Sequence, residues 1–189
     1  RGLMESTQMN VTAAMVKELR DKTGVGMMKC KSALAEANGN VAEAEKLLRK
    51  QGAATAAKKA DRATGEGLIE SYIHTGGKIG VMVEVNCETD FAARGDDFKA
   101  LVRGIAMHVA AAAPRYLRRE DVAEEHLAAE REIARDQALK SGKPEQVVDK
   151  IVTGKIDKFY GENCLLEQAY VRDPDRTVGQ LVSDAVSKI

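Results

Sequence analysis

The segment 86–94 (NCETDFAAR) places an acid and a phenyl ring side by side where neither is needed to close a turn. An alternating apolar run at 81–85 predicts a strand that leads into it, and an amphipathic helical pattern follows. The acid is Asp90, and the ring belongs to Phe91. Because strand-to-helix junctions lie at the surface, an exposed phenyl ring there needs an apolar surface to bury against. Asp90 and Phe91 therefore predict a site that binds a partner protein.

A purely structural interpretation of this pair is the main alternative. Asp90 could satisfy backbone N–H groups at a helix start, and Phe91 could fill the core of the chain itself. Two features weigh against it. Asp96 and Asp97 are expected to cap the periodic helix that follows, and Phe98 is expected to supply its aromatic core anchor.

The side chains that most often do covalent chemistry are scattered along the chain. They are the cysteines Cys30, Cys87 and Cys164 and the histidines His74, His108 and His126. Neither set has metal-site spacing or a Cys-x-x-Cys motif, and the glycines form no phosphate loop. A thiol hydrolase built on Cys87 would also need an oxyanion loop and an orienting group, and neither can be identified. The sequence therefore predicts no catalytic residue, no metal site and no cofactor, with reduced thiols in a cytosol-like compartment.

The charge distribution speaks against nucleic acid as a direct partner. Residues 1–64 carry 12 basic and 7 acidic side chains, and the remainder carries 17 and 22. This mild asymmetry lacks the basic face with interleaved aromatic residues that is typical of RNA and DNA binders. No apolar run reaches the roughly 20 residues of a membrane span. No secretory signal is visible, and residues 1–9 are expected to be a terminal tail or an expression remnant without functional weight.

Residues 10–52 are predicted to form a small bundle of three helices separated by glycine-containing turns. Thr12 and Asn40 are the expected N-caps of the first and third helices, and Gly52 is the expected end of the third. A bundle this small is marginally stable alone, which suits a recognition head.

Met27 and Met28 open the second predicted helix of this head. Because they are adjacent, only one is expected to face the bundle, and the other is expected to be an adaptable surface contact. Lys31, one turn further, would share that surface.

Residues 53–64 are predicted to be a linker, with a helical conformation left open because alanine and lysine are good helix formers, and residues 65–189 an α+β core domain. Alternating runs at 68–74 and 79–85 flank Gly76-Gly77, which predicts an antiparallel hairpin, and His74 beside its turn is expected to be exposed. The later predicted elements are a covering helix at 98–112, a helical hairpin at about 119–153 with a stop at Gly154, a strand at 164–171, a turn at 173–175 and a final helix from 178. His108, beside the apolar stripe of the covering helix, is expected to be structural.

Several of these segments, in this order, resemble the elongation factor Ts family over nearly the whole chain. The matching motifs are VKELR at 16–20, TGVGMM at 23–28, NCETDF at 86–91, IAMHVA at 105–110, SGKP at 141–144 and TVGQL at 177–181. Ala92 and Gly95 depart from the family, which often has Val and Asn there. The chain has one α/β core, like the short members, and this leaves a homodimer open.

The resemblance implies a fold and a function. The fold would be a ubiquitin-associated-like three-helix head followed by an α+β core. The function would be guanine-nucleotide exchange on elongation factor Tu, a GTPase, in the bacterial cytoplasm, with a plastid or mitochondrial interior left open. The implied contacts to that partner are Asp90 and Phe91 near the nucleotide's magnesium, the flanking Thr89, Ala92 and Arg94, the head residues Met27, Met28 and Lys31, and His74 in the core.

Other function classes stay open from the residues alone. The basic N-terminal half would also suit a ribosome- or RNA-associated structural protein without exchange activity. A ubiquitin-like-protein binder acting through the head is a further alternative.

Overall fold

The computed structural model describes residues 11–188, and these residues form two compact units. The first unit comprises the described residues up to Arg62 together with 183–188, and the second comprises Ala63–Val182. No described helix is long and apolar enough to cross a bilayer.

The first unit is built on three helices, α1 (Ala13–Thr23), α2 (Met27–Glu36) and α3 (Val41–Lys59). The predicted caps are confirmed: the Thr12 hydroxyl accepts from the Met15 N–H at 3.3 Å, and the Asn40 side chain accepts from the Glu43 N–H at 3.1 Å. One apolar cluster joins the three helices, and its fully buried members are Leu19, Cys30, Ala33, Leu34 and Ala44.

The predicted end of α3 at Gly52 is wrong. Helix α3 continues to Lys59 through much of the predicted linker. Alanine and lysine are strong helix formers, so the segment after Gly52 propagates the helix that precedes it. Gly52 itself is buried, and a Cβ there would lie 3.2 Å from Ser187 Oγ. The glycine therefore permits a close approach of two segments and does not stop the helix.

The second unit begins with an antiparallel hairpin of β1 (Glu66–Ile73) and β2 (Gly80–Cys87), as predicted. Two helices follow, the short α4 (Asp90–Arg94) and the long α5 (Asp96–Ala112). The inner face of the hairpin packs on these helices, and the residues that meet there are Leu68, Val83, Val85, Cys87, Ala93, Phe98 and Val102.

The predicted helical hairpin exists but lies later and is longer than expected. It consists of α6 (Glu124–Lys140) and α7 (Glu145–Asn163), with a 3-10 turn at Arg119–Asp121 before it. Gly154 lies inside α7 and does not end it, because the apolar stripe continues to the buried Ile156 and Tyr160.

The C-terminal part differs from the prediction in its strands. The predicted strand at 164–171 is instead a 3-10 turn (Leu165–Glu167) followed by β3 (Ala169–Tyr170). The predicted turn at 173–175 belongs to β4 (Asp173–Thr177), which pairs with β3. Helix α8 (Val178–Lys188) then closes the described chain. The two strands pair across residues 171–172, so the turn lies two residues earlier than predicted.

A buried histidine links α5 to this region, and the structural role predicted for His108 agrees with its surroundings. Its Nδ1 accepts from the Val171 N–H at 3.2 Å, so the ring proton is assigned to Nε2, which lies 2.9 Å from Gln168 Oε1. The Gln168 amide donates to the carbonyls of Glu162 and Ala112. Every buried polar side-chain atom of this network has a hydrogen-bond partner. The predicted α+β fold class is confirmed.

Candidate partner-binding site

Helix α4 presents the acid and the ring predicted to contact a partner. Thr89 is its N-cap, with extended backbone (φ −137°, ψ 151°), and the Thr89 hydroxyl accepts from the Ala92 N–H at 3.2 Å. Asp90 and Phe91 are therefore the first two residues of the helix, directly after the strand-leaving segment. Asp90 does begin a helix, as the structural alternative required, but Thr89 supplies the cap.

Phe91 is 86% exposed and is not part of the core. Two residues further on, Ala93 is buried against the hairpin, and a separation of about 200° around the helix places Phe91 on the opposite side. Phe98 is 4% exposed and fills the core position predicted for it. A phenyl ring held this far into solvent carries an apolar surface that only another molecule can bury.

Asp90 pairs with Arg94, whose guanidinium lies 2.9 Å from the carboxylate in an i,i+4 arrangement. Both side chains are largely exposed, so the pair contributes little to stability and remains available to a partner. The predicted caps of the next helix differ from expectation: Asp96 and Asp97 lie in the first turn of α5, and no side chain caps it. They still favour the helix because negative charge there complements its dipole.

The head presents its methionines from a braced turn between α1 and α2. Gly24 adopts a left-handed conformation (φ 66°) that ends α1. The Thr23 hydroxyl accepts from the Val25 N–H at 3.3 Å, and the buried Cys30 thiol donates to the Val25 carbonyl at 3.3 Å. These contacts fix the turn from which α2 starts.

Both methionines are exposed, Met27 by 56% and Met28 by 79%, so the expectation that one would face the bundle is wrong. They occupy the first turn of α2, before the register that buries Cys30 and Leu34 begins. Lys31 is exposed and lies three and four residues beyond them, on the same side of the helix.

A cavity of about 370 Å³ opens beside this turn, within the first unit. Its walls include Met27, Met28, Lys29 and, from the end of α8, Ser187 and Lys188. Lys29 and Lys188 were not predicted to lie here, since no local pattern brings Lys188 to the head.

His74 is exposed, and its Nδ1 lies 3.1 Å from the Tyr72 hydroxyl. It lies at the turn end of the hairpin, whereas α4 follows the other end of β2. Because β2 spans about 24 Å at roughly 3.4 Å per residue, His74 and Phe91 do not form one compact cluster. The second unit therefore offers two separate candidate contacts.

The outer face of the hairpin is a further surface that sequence analysis did not single out. Ile69, Ile73 and Met82 project from it and are exposed. The alternation of β1 and β2 carried the signal, because apolar residues occupy some of the positions that should be polar on a solvent-facing side.

The groups that this site exposes are suited to binding. Within residues 11–188, no cluster of three or more histidine, cysteine or acidic side chains could hold a metal ion. Cys87 is half-buried, and its thiol donates to the Thr89 carbonyl at 3.2 Å. Exposed apolar anchors beside charged residues are typical of a protein that binds another macromolecule.

The similarity of this chain to known proteins is consistent with a protein that binds another macromolecule. The family model described as elongation factor TS matches residues 5–189. The chain is 59% identical to elongation factor Ts of Heliobacterium modesticaldum over 179 residues, which cover 95% of this chain and 83% of the relative. It is 57% identical to elongation factor Ts of Moorella thermoacetica, over 95% of this chain and 88% of the relative. The protein of that name from Geobacter sulfurreducens is also 57% identical, over 96% and 84%.

The chain therefore belongs to the elongation factor Ts family. This membership assigns it to the translation elongation factors, which act in protein biosynthesis.

Proposed function

We propose that this protein is a guanine-nucleotide exchange factor, which binds elongation factor Tu in its GDP form and promotes release of the GDP so that GTP can bind. The single observation that carries the proposal is Phe91, a phenyl ring 86% exposed on a one-turn helix, with an acid beside it. Family membership supports this choice of partner. The process makes and breaks no covalent bond, so the protein acts as a binding factor rather than as a chemical catalyst.

The exchange step follows from what α4 presents. In GTPases a magnesium ion and backbone amides of the phosphate loop hold the diphosphate. Phe91 would enter an apolar pocket between helices of the GTPase and move them apart. Asp90 would bring negative charge towards the surroundings of the magnesium ion. Both changes weaken the hold on the diphosphate and leave GDP free to depart.

The energy required is within the reach of such a site. The factor must bind the nucleotide-free GTPase better than the GDP-bound one, and linkage makes this effect reciprocal. A thousandfold acceleration of release corresponds to about 4 kcal/mol. Full burial of one phenyl side chain supplies about 1.5–3 kcal/mol, so Phe91 and a few further contacts suffice.

The remaining proposed contacts extend the interface away from the wedge. Met27, Met28 and Lys31 would dock the head on the GTPase domain through adaptable apolar contacts and one cation. His74 would provide a separate contact at the hairpin turn. Thr89, Ala92 and Arg94 would lie at the rim of the wedge.

We also propose a homodimer and place the second copy on the outer face of the hairpin. A two-stranded sheet is marginal by itself, and Ile69, Ile73 and Met82 give this sheet a second apolar face. Short family members suit this arrangement because they have a single core. Light scattering after size exclusion would report twice the chain mass, and Met82→Asp would shift it to that of a monomer. A monomeric wild-type protein at about 100 µM would contradict the dimer.

The exchange function is tested with elongation factor Tu loaded with a fluorescent GDP analogue. Release is followed after excess unlabelled GDP is added, with and without the factor. Acceleration by substoichiometric factor is expected, because one molecule serves many rounds of exchange. Folded protein that leaves the rate of release unchanged would contradict the proposal.

Translation takes place in the bacterial cytoplasm, where we expect this protein to act.

A further inference from the structure

We infer that Thr89 is a positioning residue that acts on exchange through Phe91, by capping and bracing the helix that carries the ring. This inference rests on the proposed function and deepens it. Phe91 buries little of its own surface in the folded chain, so the direction of the ring depends on the backbone beneath it.

That backbone is short of internal support. Helix α4 has only five residues, and a single helical turn is unfavourable to form without help because nucleation fixes several dihedral angles for one hydrogen bond. At its two ends, the Ala93 N–H donates to the Thr89 carbonyl at 3.1 Å and the Gly95 N–H donates to the Ala92 carbonyl at 3.0 Å. The helix therefore depends on its flanking residues.

Thr89 supplies most of this support. Its hydroxyl accepts from the Ala92 N–H at 3.2 Å, and its carbonyl accepts from both the Ala93 N–H and the Cys87 thiol. Both lone pairs of that carbonyl are thus engaged. The side chain and the carbonyl together make three hydrogen bonds within the chain: two close the first turn of α4, and the third, from the Cys87 thiol, joins that turn to the end of β2.

The geometry also separates positioning from direct contact. Ala93 anchors α4 on its inner side, and Phe91 projects from the opposite side. Without the cap, the turn frays at its N-terminal end, where the ring is attached. Binding to the GTPase must then order both the turn and the ring. The cost of this ordering weakens the binding of the factor to the nucleotide-free GTPase.

Three variants of the full chain test this inference in the GDP-release assay. Thr89→Val keeps the shape and the extended backbone but removes the cap, whereas Thr89→Ser keeps the hydroxyl. We expect Thr89→Val to lower exchange efficiency about fivefold, the factor that corresponds to loss of one capping bond. Thr89→Ser should lose less efficiency than Thr89→Val, because it keeps the capping hydroxyl. In a Phe91→Ala background, Thr89→Val should have no further effect.

Thr177→Val is the matched control. Thr177 caps α8 in the same way, accepting from the Gln180 N–H at 3.1 Å, and it lies outside the proposed contacts. This variant should lose stability as Thr89→Val does and leave exchange unchanged. A fivefold loss in the Phe91→Ala background, or an equal loss in Thr89→Ser and Thr89→Val, would overturn the inference.

A second readout separates failure of this inference from failure of the proposed function. Hydrogen exchange followed by NMR should show faster exchange of the Ala92 amide in Thr89→Val than in Thr89→Ser, because only the valine removes its acceptor. If the wild-type protein does not accelerate GDP release, the proposed exchange function is wrong. The hydrogen-exchange rate of the Ala92 amide then still tests whether Thr89 caps α4. Unchanged Ala92 protection in Thr89→Val would overturn the capping role in either case.

Discussion

Replacing Phe91 by alanine should separate partner binding from folding. The ring is 86% exposed, so little of its apolar surface is buried in the free protein. Exposed substitutions of this kind change the free energy of unfolding by about 0.5 kcal/mol or less. The melting temperature should therefore stay close to that of the wild-type protein.

The effect on exchange should be much larger, and its size follows from the same exposure. Complete burial of a phenylalanine side chain is worth about 1.5–3 kcal/mol, and nearly all of that gain is still available when the ring enters a partner pocket. A loss of about 1.3–2.6 kcal/mol corresponds to a fall in exchange efficiency of roughly 10- to 80-fold. The assay is release of fluorescent GDP from elongation factor Tu at several concentrations of the factor.

Two further variants give this result its meaning. Leu117→Ala removes another exposed apolar side chain, away from the proposed contacts, and should leave exchange unchanged. Phe98→Ala removes a buried ring from the core of the second unit and should lower the free energy of unfolding by about 3–5 kcal/mol. A folded Phe91→Ala protein that exchanges GDP within twofold of the wild-type rate would refute the wedge.

Three further predictions concern the packing of the second unit. Gly104→Ala should strongly lower the melting temperature, because its Cβ would lie 2.5 Å from the Tyr170 hydroxyl oxygen. Adding Tyr170→Phe should restore much of the lost stability, and a double variant without this recovery would contradict the clash. Thiol labelling of the native protein should modify Cys87 and spare Cys164, since Cys164 is buried and burial raises the pKa of its thiol; rapid native labelling of Cys164 would contradict this. Arg119→Lys should lower the melting temperature, because lysine cannot reproduce the paired bonds of 2.6 and 2.7 Å to Glu167 or the stacking over an aromatic ring, and an unchanged melting curve would show that the contact is dispensable.

The surface position of the candidate partner-binding motif could be predicted from sequence because it depends on neighbouring residues. Thr89, Asp90 and Phe91 follow an alternating strand and precede a periodic helix, so their place at a surface junction was predictable. The presence of Phe98 at the right spacing made a second core ring unnecessary, and the structure buries Phe98 and exposes Phe91.

Features that depend on distant residues were predicted less well. The exposure of both Met27 and Met28 depends on where the bundle core ends, which helical spacing alone does not reveal. The cavity beside them includes Lys188, far away in sequence. Glycine misled the prediction for a similar reason: Gly52 and Gly154 lie inside helices, because a glycine that interrupts a strong helical pattern costs only about 1 kcal/mol.

By itself, the sequence determined the elements whose hydrogen bonds and apolar stripes lie within a few residues: the capped head helices and the β1–β2 hairpin. Only the tertiary structure decided which side chains of those elements remain in solvent and how far α3 and α7 extend. The physical reason is the range of the interactions. A cap or a turn is satisfied by its neighbours in the chain, whereas burial depends on residues that only folding brings together.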